Sequence, residues 1–164
     1  MRDQHKNNKM KLAVVQIRGT LGMTKKFRDT LQFLKLVRKN SCVVVDDSKP
    51  YLGMLILLKD YITWGKIDEE TFKLLLQKRG RIVGNQLVTE AYLKEKAKVS
   101  FDEFTKNFFA GKVKLRDVPG LKSFFRLTPP RGGFDRGGIK KPFSLGGALG
   151  YRGDNMNDLI RRML

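Results

Sequence analysis

The sequence predicts an α+β fold: a small three-stranded sheet covered by two helices (a β-α-β-α-β core), with an added helical block and an extended basic C-terminal tail. Three observations predict it. Apolar residues alternate in short runs and then recur at helical spacing over residues 11–67. Residues 68–111 hold successive helix-start signals. Eight of the 16 glycines lie between Gly132 and Gly153, which disfavours regular structure there.

The first strand and helix are predicted within residues 11–39. Residues 11–18 alternate as a half-buried strand does, and Gly19 and Gly22 indicate the turn that follows. Thr24 is a suitable cap for a helix reaching about Lys39. Its buried face is predicted to consist of Phe27, Leu31, Leu34 and Val37.

The second half of the core repeats this pattern. A strand is predicted over Cys42–Asp46, a helix after Ser48 with Pro50 in its first turn, and a third strand over Ile62–Ile67. The sequence does not decide the direction of the strands. Residues 11–67 are therefore the predicted core, preceded by a flexible N-terminal segment, residues 1–10.

Residues 68–111 are predicted to form a helical extension. Asp68 and Thr89 suit helix starts, and Ser100 with Glu103 has the spacing of a capping box. This block holds eight lysines and arginines against seven acidic residues, including all five glutamates. A nearly neutral balance is typical of an ordinary domain surface.

Residues 112–164 are predicted to be an extended basic tail that ends in a short helix. Pro129, Pro130 and the repeated glycines exclude a long helix or a central strand. Because such a segment buries little apolar surface by itself, we expect it to order on a partner. The apolar spacing that predicts the final helix is Met156, Leu159, Ile160 and Met163.

The charge indicates the partner. The net charge is +18 and the pI about 10.2. Residues 1–66 hold 14 basic and five acidic residues, and residues 112–164 hold twelve and four. Two cationic flanks favour a polyanion such as nucleic acid, with an acidic membrane surface as the other candidate. The chain lacks a 20-residue apolar run and an apolar leader, which predicts a soluble intracellular protein.

Catalysis, metals and cofactors are not predicted. Cys42 is the only cysteine and His5 the only histidine, so an internal disulfide and a Cys/His zinc site are impossible. Cys42 lies in an apolar run and is interpreted as a small core residue. Asp46-Asp47 and Glu69-Glu70 have structural explanations, at a strand end and in a helix first turn.

The turn Arg18–Gly22 has three interpretations. It is a plain turn, a nucleotide pocket, or a place where an RNA phosphate binds at a helix N-terminus. Neither glycine-rich nucleotide motif is present. The neighbouring cations Lys25, Lys26 and Arg28 favour the RNA phosphate.

The order of several short motifs resembles a known family. In the core the motifs are Ile17-Arg18-Gly19, Gly22, Lys26, Arg28, Thr30-Leu31, Leu34, Leu36, Asn40, Val43-Val44 and Gly53-Met54. Beyond it they are Tyr61–Gly65, Lys78–Arg81, Gly84, Leu87, Thr89, Phe125–Phe134 and Gly146–Gly153. The chain resembles the universal large-subunit ribosomal proteins numbered thirty in bacteria and archaea and seven in eukaryotes, in their long archaeal form.

This resemblance implies a structural constituent of the large ribosomal subunit, with no catalysis, cofactor or small-molecule substrate. It implies a cytoplasmic ribosome, contacts to large-subunit ribosomal RNA near the 5S RNA, and neighbouring ribosomal proteins. The alternative from another class is a free-standing basic RNA or DNA chaperone or architectural protein; a third is an enzyme that uses the turn at Gly19. The RNA-contact residues that the resemblance implies are Arg18, Lys25, Lys26, Arg28, Arg79, Arg81, Arg126, Arg131, Arg136, Lys140, Lys141 and Arg152.

Overall fold

A computed structural model describes residues 10–164, so most of the predicted flexible segment 1–10 lies outside the described residues. The strands are β1 (Lys11–Gln16), β2 (Ser41–Asp46), β3 (Ile62–Lys66), β4 (Phe125–Arg126) and β5 (Gly150–Tyr151). The helices are α1 (Lys25–Phe33), α2 (Lys49–Leu57), α3 (Glu69–Arg79), α4 (Glu90–Ala97), α5 (Phe101–Phe109) and α6 (Met156–Met163).

The strands form one mixed sheet in the order β4-β2-β1-β3-β5. The central strand β1 is antiparallel to both β2 and β3, β4 is antiparallel to β2, and β5 is parallel to β3. The predicted α+β class is confirmed. The sheet has five strands, two more than predicted, because each added strand is only two residues long and shows no alternation of its own.

Helices cover both faces of the sheet. Leu12 and Val14 of β1 pack with residues of α1 and α2, whereas Ala13 and Val15 pack with residues of α3, α5 and α6. Alternate side chains of a strand point to opposite faces, so burial of both sets makes β1 the centre of the fold. The helical extension is therefore the second cover of the sheet and shares one core with it.

The C-terminal segment adds to the packed fold. Four apolar side chains of α6 are fully buried, and α6 lies close to β3 at Gly65. A Cβ atom at Gly65 would overlap the carbonyl oxygen of Gly153 and lie 2.8 Å from Cβ of Met156. Residues 112–164 therefore do not form a free tail. Their apolar side chains pack on the face of the sheet that α1 and α2 leave uncovered.

The helix starts agree closely with the sequence signals. Thr89 accepts a hydrogen bond from the amide of Tyr92, and Ser100 and Glu103 form the predicted capping box. The helix expected to reach Lys39 ends at Phe33, because Lys35 and Asn40 have left-handed backbone angles (both φ 62°) that a helix does not tolerate.

Burial makes the thiol of Cys42 unreactive. The side chain is fully buried, and desolvation raises its pKa from 9.0 to about 12. We expect iodoacetamide at pH 9 to leave the native protein unmodified and to alkylate it once urea has unfolded it, as measured by mass spectrometry. Alkylation of the native protein at a rate near that of a free thiol would contradict this placement.

Candidate nucleic-acid interface

The antiparallel arrangement brings three basic loops to one end of the sheet. β1 ends where β2 and β3 begin, as the pairs Val15–Cys42 and Gln16–Ile62 show. The segments beside this end carry Arg18, Lys39 and Lys59. The side chain of Lys39 lies beside Gly19: its Cδ would be 3.9 Å from a Cβ built there. Residues far apart in the sequence therefore share one cationic surface.

Arg18 is held in a defined orientation at this end. Its Nη1 donates to the carbonyl oxygen of Asp60 at 3.2 Å, and its guanidinium carbon lies 5.3 Å from the centroid of the Tyr61 ring. A carbonyl and an aromatic face fix the side chain without neutralising its charge. Arg18 is half-buried, so part of its cationic group remains accessible.

A cleft of about 260 Å³ joins this end of the sheet to the C-terminal segment. The cleft is lined by Lys59 and Asp60 from the core and by Lys140 and Tyr151 from the C-terminal segment. Tyr151 is 52% exposed, and the centroid of its ring lies 6.3 Å from that of Trp64. An exposed ring between lysines has the chemistry that stacks on a base while the lysines bind phosphates.

We name this set the sheet-end surface. Its members are Arg18, Lys39, Lys59, Lys140 and Tyr151.

A second group of predicted residues gathers at the end of α6. Arg79 donates through Nη2 to the carbonyl oxygen of Leu164 at 2.7 Å. The backbone amide of Arg131 donates to the carbonyl oxygen of Arg162 at 3.0 Å. Arg162 in turn donates to the carbonyl oxygen of Gly133 at 3.0 Å. The end of α6 thereby brings together cations of the helical extension and of the C-terminal segment.

The other predicted residues are spread over the surface. Lys25, Lys26 and Arg28 are exposed in the first turn of α1, beside the fully exposed Leu21. Arg81 is half-buried and donates to the carbonyl oxygen of Asn85 at 3.1 Å. The remaining exposed positions are Arg126, Arg136 and Lys141.

Arg152 is a different case, because its side chain is inside the protein. The residue is 3% exposed; its Nε donates to Thr63 at 3.0 Å, and its Nη2 contacts Asp135 at 3.1 Å and the carbonyl oxygen of Ala148 at 2.9 Å. Burial lowers the pKa of Arg152, and the nearby Asp135 carboxylate partly opposes this. A guanidinium so placed ties the C-terminal segment to β3 and leaves almost none of its surface accessible to a ligand.

The other eleven predicted residues are not paired with an aspartate or glutamate. Among residues 10–164, no Asp or Glu carboxylate lies within 4 Å of the charged nitrogens of any of them. The acidic side chains are partly used elsewhere: Asp46 pairs with Lys11, and Glu70 with Arg161. Unpaired cations attract a polyanion more strongly than cations already paired with acids.

The described part of the chain offers little for other chemistry. Within it, no group of three or more histidine, cysteine or acidic side chains is arranged to hold a metal ion. Also within residues 10–164, no helix has both the length and the apolar composition that crossing a bilayer requires.

Comparison with known proteins identifies the family. A family model described as ribosomal protein L30p/L7e matches residues 12–62. The large ribosomal subunit protein uL30 of Methanopyrus kandleri is 50% identical over 149 residues, covering 90% of this chain and all of that protein. The uL30 proteins of Methanococcus vannielii (48%; 94% of this chain and 100% of that protein) and Nanoarchaeum equitans (47%; 93% and 97%) are also similar. The chain belongs to the ribosomal protein L30p/L7e family.

The similarity to known proteins extends beyond the core, and the structure adds three residues to the predicted contact residues. The L30p/L7e model spans β1, α1, β2 and α2, and the archaeal relatives extend the similarity over the C-terminal segment. Sequence analysis did not select Lys39, Lys59 or Tyr151. Lys39 and Lys59 precede strands and Tyr151 lies within β5, but only the antiparallel directions and the parallel pairing of β5 with β3 bring the three together.

Proposed function

We propose that this L30p/L7e protein binds large-subunit ribosomal RNA through the unpaired cations of its two basic flanks. The protein is a structural constituent of the large ribosomal subunit, as the names of its archaeal relatives indicate. Its role is architectural rather than catalytic. A cytoplasmic ribosome and a position near the 5S RNA are the finer parts of the proposal.

One observation carries the proposal. Eleven of the twelve predicted contact residues have no Asp or Glu carboxylate within 4 Å of their charged nitrogens in the described part of the chain, although the protein carries 16 acidic residues. A protein of net charge +18 that leaves these cations unpaired is strongly self-repelling when alone. Ribosomal RNA removes that repulsion and releases counterions as it binds.

The contacts are of the kind that positions a protein on RNA. Lysine and arginine side chains bind phosphate oxygens whatever the base, so they set the orientation of the protein without reading sequence. Tyr151 can add stacking on an unpaired base. Within the sheet-end surface, Arg18 and Lys140 come from opposite ends of the sequence, so one RNA segment that contacts both also stabilises their packing.

Charge reversal at the sheet-end surface is expected to weaken RNA binding. In Arg18→Glu/Lys140→Glu, two phosphate contacts are lost, so the slope of log affinity against log salt concentration should fall by about 2. The affinity should fall at least about tenfold near physiological salt. Filter binding of the variant to transcribed large-subunit ribosomal RNA, across a salt series, measures both quantities.

The matched control is Lys98→Glu/Lys106→Glu, which makes the same change in net charge on the exposed surface of the helical extension. Equal losses in the two variants would mean that net charge, and not the sheet-end surface, governs binding.

Co-sedimentation with large subunits in a sucrose gradient distinguishes the proposed function from that of a free-standing chaperone. A chaperone would remain at the top of the gradient.

A further inference from the structure

The edge of the sheet formed by β2 is open over most of its length. β2 pairs with β4 only at Ser41 and Cys42. Beyond them, Val43, Val44 and Val45 are in register with β1. Backbone groups alternate in direction along the strand, so Val44 presents its N–H and C=O outward, and no backbone group of another described residue bonds to them. An edge strand of this kind presents alternating N–H and C=O groups that another strand can pair with.

A groove of about 270 Å³ runs along this open edge. One wall is formed by Phe33 and Tyr51 from the layer of α1 and α2, and the other by Phe108 and Leu115 from the opposite layer. Phe33 is 67% exposed, so its ring is accessible to an apolar ligand in the groove. The groove therefore combines an unpaired strand edge with apolar walls on both sides.

The rim of the groove is positive. Lys35, Lys114 and Arg116 line it and are exposed, and no described carboxylate lies within 4 Å of their charged side-chain nitrogens. The Asp117 carboxylate accepts a hydrogen bond from the backbone amide of Lys114 at 2.7 Å. The one acidic side chain that lines the groove, Asp46, is paired with Lys11. A ligand that fits this rim carries negative charge.

We propose that an extended segment of another large-subunit protein binds here by adding a strand to β2. The inference rests on the proposed place of this chain in the large subunit. Because side chains of an added strand alternate between the two walls, the segment has apolar residues at successive positions. Acidic residues flank these positions and meet Lys35, Lys114 and Arg116.

Other occupants fit the groove less well. A second copy of this chain would bring the same positive rim and a net charge of +18. Residues 1–9 of the chain carry three cations and one acid, again the wrong sign. RNA would satisfy the rim, but phosphates only accept hydrogen bonds, whereas a strand edge presents donors and acceptors alternately.

A photo-crosslinker at Phe33 tests the proposal in the assembled particle. We expect Phe33→p-benzoylphenylalanine, in purified large subunits, to give an adduct that survives ribonuclease and maps by mass spectrometry to an apolar segment flanked by acids in another protein. An adduct with RNA alone, with a second copy of this chain, or no adduct would overturn the proposal. Val83→p-benzoylphenylalanine is the control, because Val83 is 74% exposed and lies outside the groove.

Failure of this proposal and failure of the proposed function are distinguishable. Co-sedimentation of the unirradiated Phe33 variant with large subunits tests only whether the chain is in the particle. With a synthetic peptide of the crosslinked segment, we expect hydrogen exchange of the outward amide of Val44 to slow at least tenfold in the free, full-length chain. Unchanged exchange would show that the segment does not pair with β2. The same conclusion would follow if the peptide bound Lys114→Glu/Arg116→Glu as tightly as it binds the control Lys98→Glu/Lys106→Glu.

Discussion

Replacing Phe72 with alanine is expected to lower the free energy of unfolding by about 3–5 kcal/mol. Phe72 is fully buried in the layer between β1 and the helices α3 and α5. Its ring stacks on that of Phe108 at 4.4 Å and meets the edge of Phe109 at 5.7 Å. The substitution removes both ring contacts. It also leaves a cavity that the neighbouring side chains of β1, α3 and α5 cannot readily fill. Urea unfolding followed by circular dichroism measures the change.

Phe33→Ala is the matched control, because it removes the same side chain from an exposed position. We expect its free energy of unfolding to differ from that of the parent protein by less than about 0.5 kcal/mol. Equal destabilisation of the two alanine variants would show that the core between the sheet and the helices α3, α5 and α6 is not closely packed.

Arg152→Ala is expected to lower the free energy of unfolding by about 2–4 kcal/mol. Breaking a wholly buried ion pair would cost more, but the Asp135 side chain is partly exposed to solvent. The substitution removes the hydrogen bonds to Thr63 and Ala148 and leaves Asp135 unpaired. It also removes the cation that lies 4.8 Å from the ring centroid of Phe143. The C-terminal segment should then separate from β3 more readily, which limited proteolysis detects as faster cleavage after residue 130.

Two variants separate the effect of shape from that of charge. Arg152→Lys keeps the charge but cannot reproduce the forked contacts, so most of the loss should remain. Arg136→Ala removes an exposed cation and should leave the thermal stability nearly unchanged while weakening RNA binding. If Arg152→Ala retained full stability and lost RNA affinity instead, the sequence-based placement of Arg152 in the RNA interface would be correct.

Local patterns in the sequence are sufficient to predict most of the regular elements. The alternation in residues 11–18 and the caps at Thr89 and Ser100 predict elements that the structure contains, because both signals act within a few residues. The strands β4 and β5 are not predictable in this way. Each is two residues long and exists only because another strand lies beside it.

The candidate interface was predictable in composition and not in arrangement. The distribution of charge identifies the flanks, but Arg136 and Arg152, which stand in similar glycine-rich sequence, are respectively exposed and buried. The difference depends on Thr63, 89 residues from Arg152. Lys59 was not predicted as a contact residue for a similar reason. Its place beside Lys140 depends on strand directions that the sequence does not decide.

The position of α6 affects how this protein is made. Translation proceeds from the N-terminus, so the residues of α6 that close one side of the sheet are synthesised after the strands and helices that they cover. Until Met156, Leu159 and Ile160 leave the exit tunnel, apolar groups of β1, α3 and α5 are without part of their cover. The nascent chain therefore reaches its native packing only once residues 156–163 have left the ribosome, and until then it exposes apolar surface that can aggregate unless a chaperone covers it.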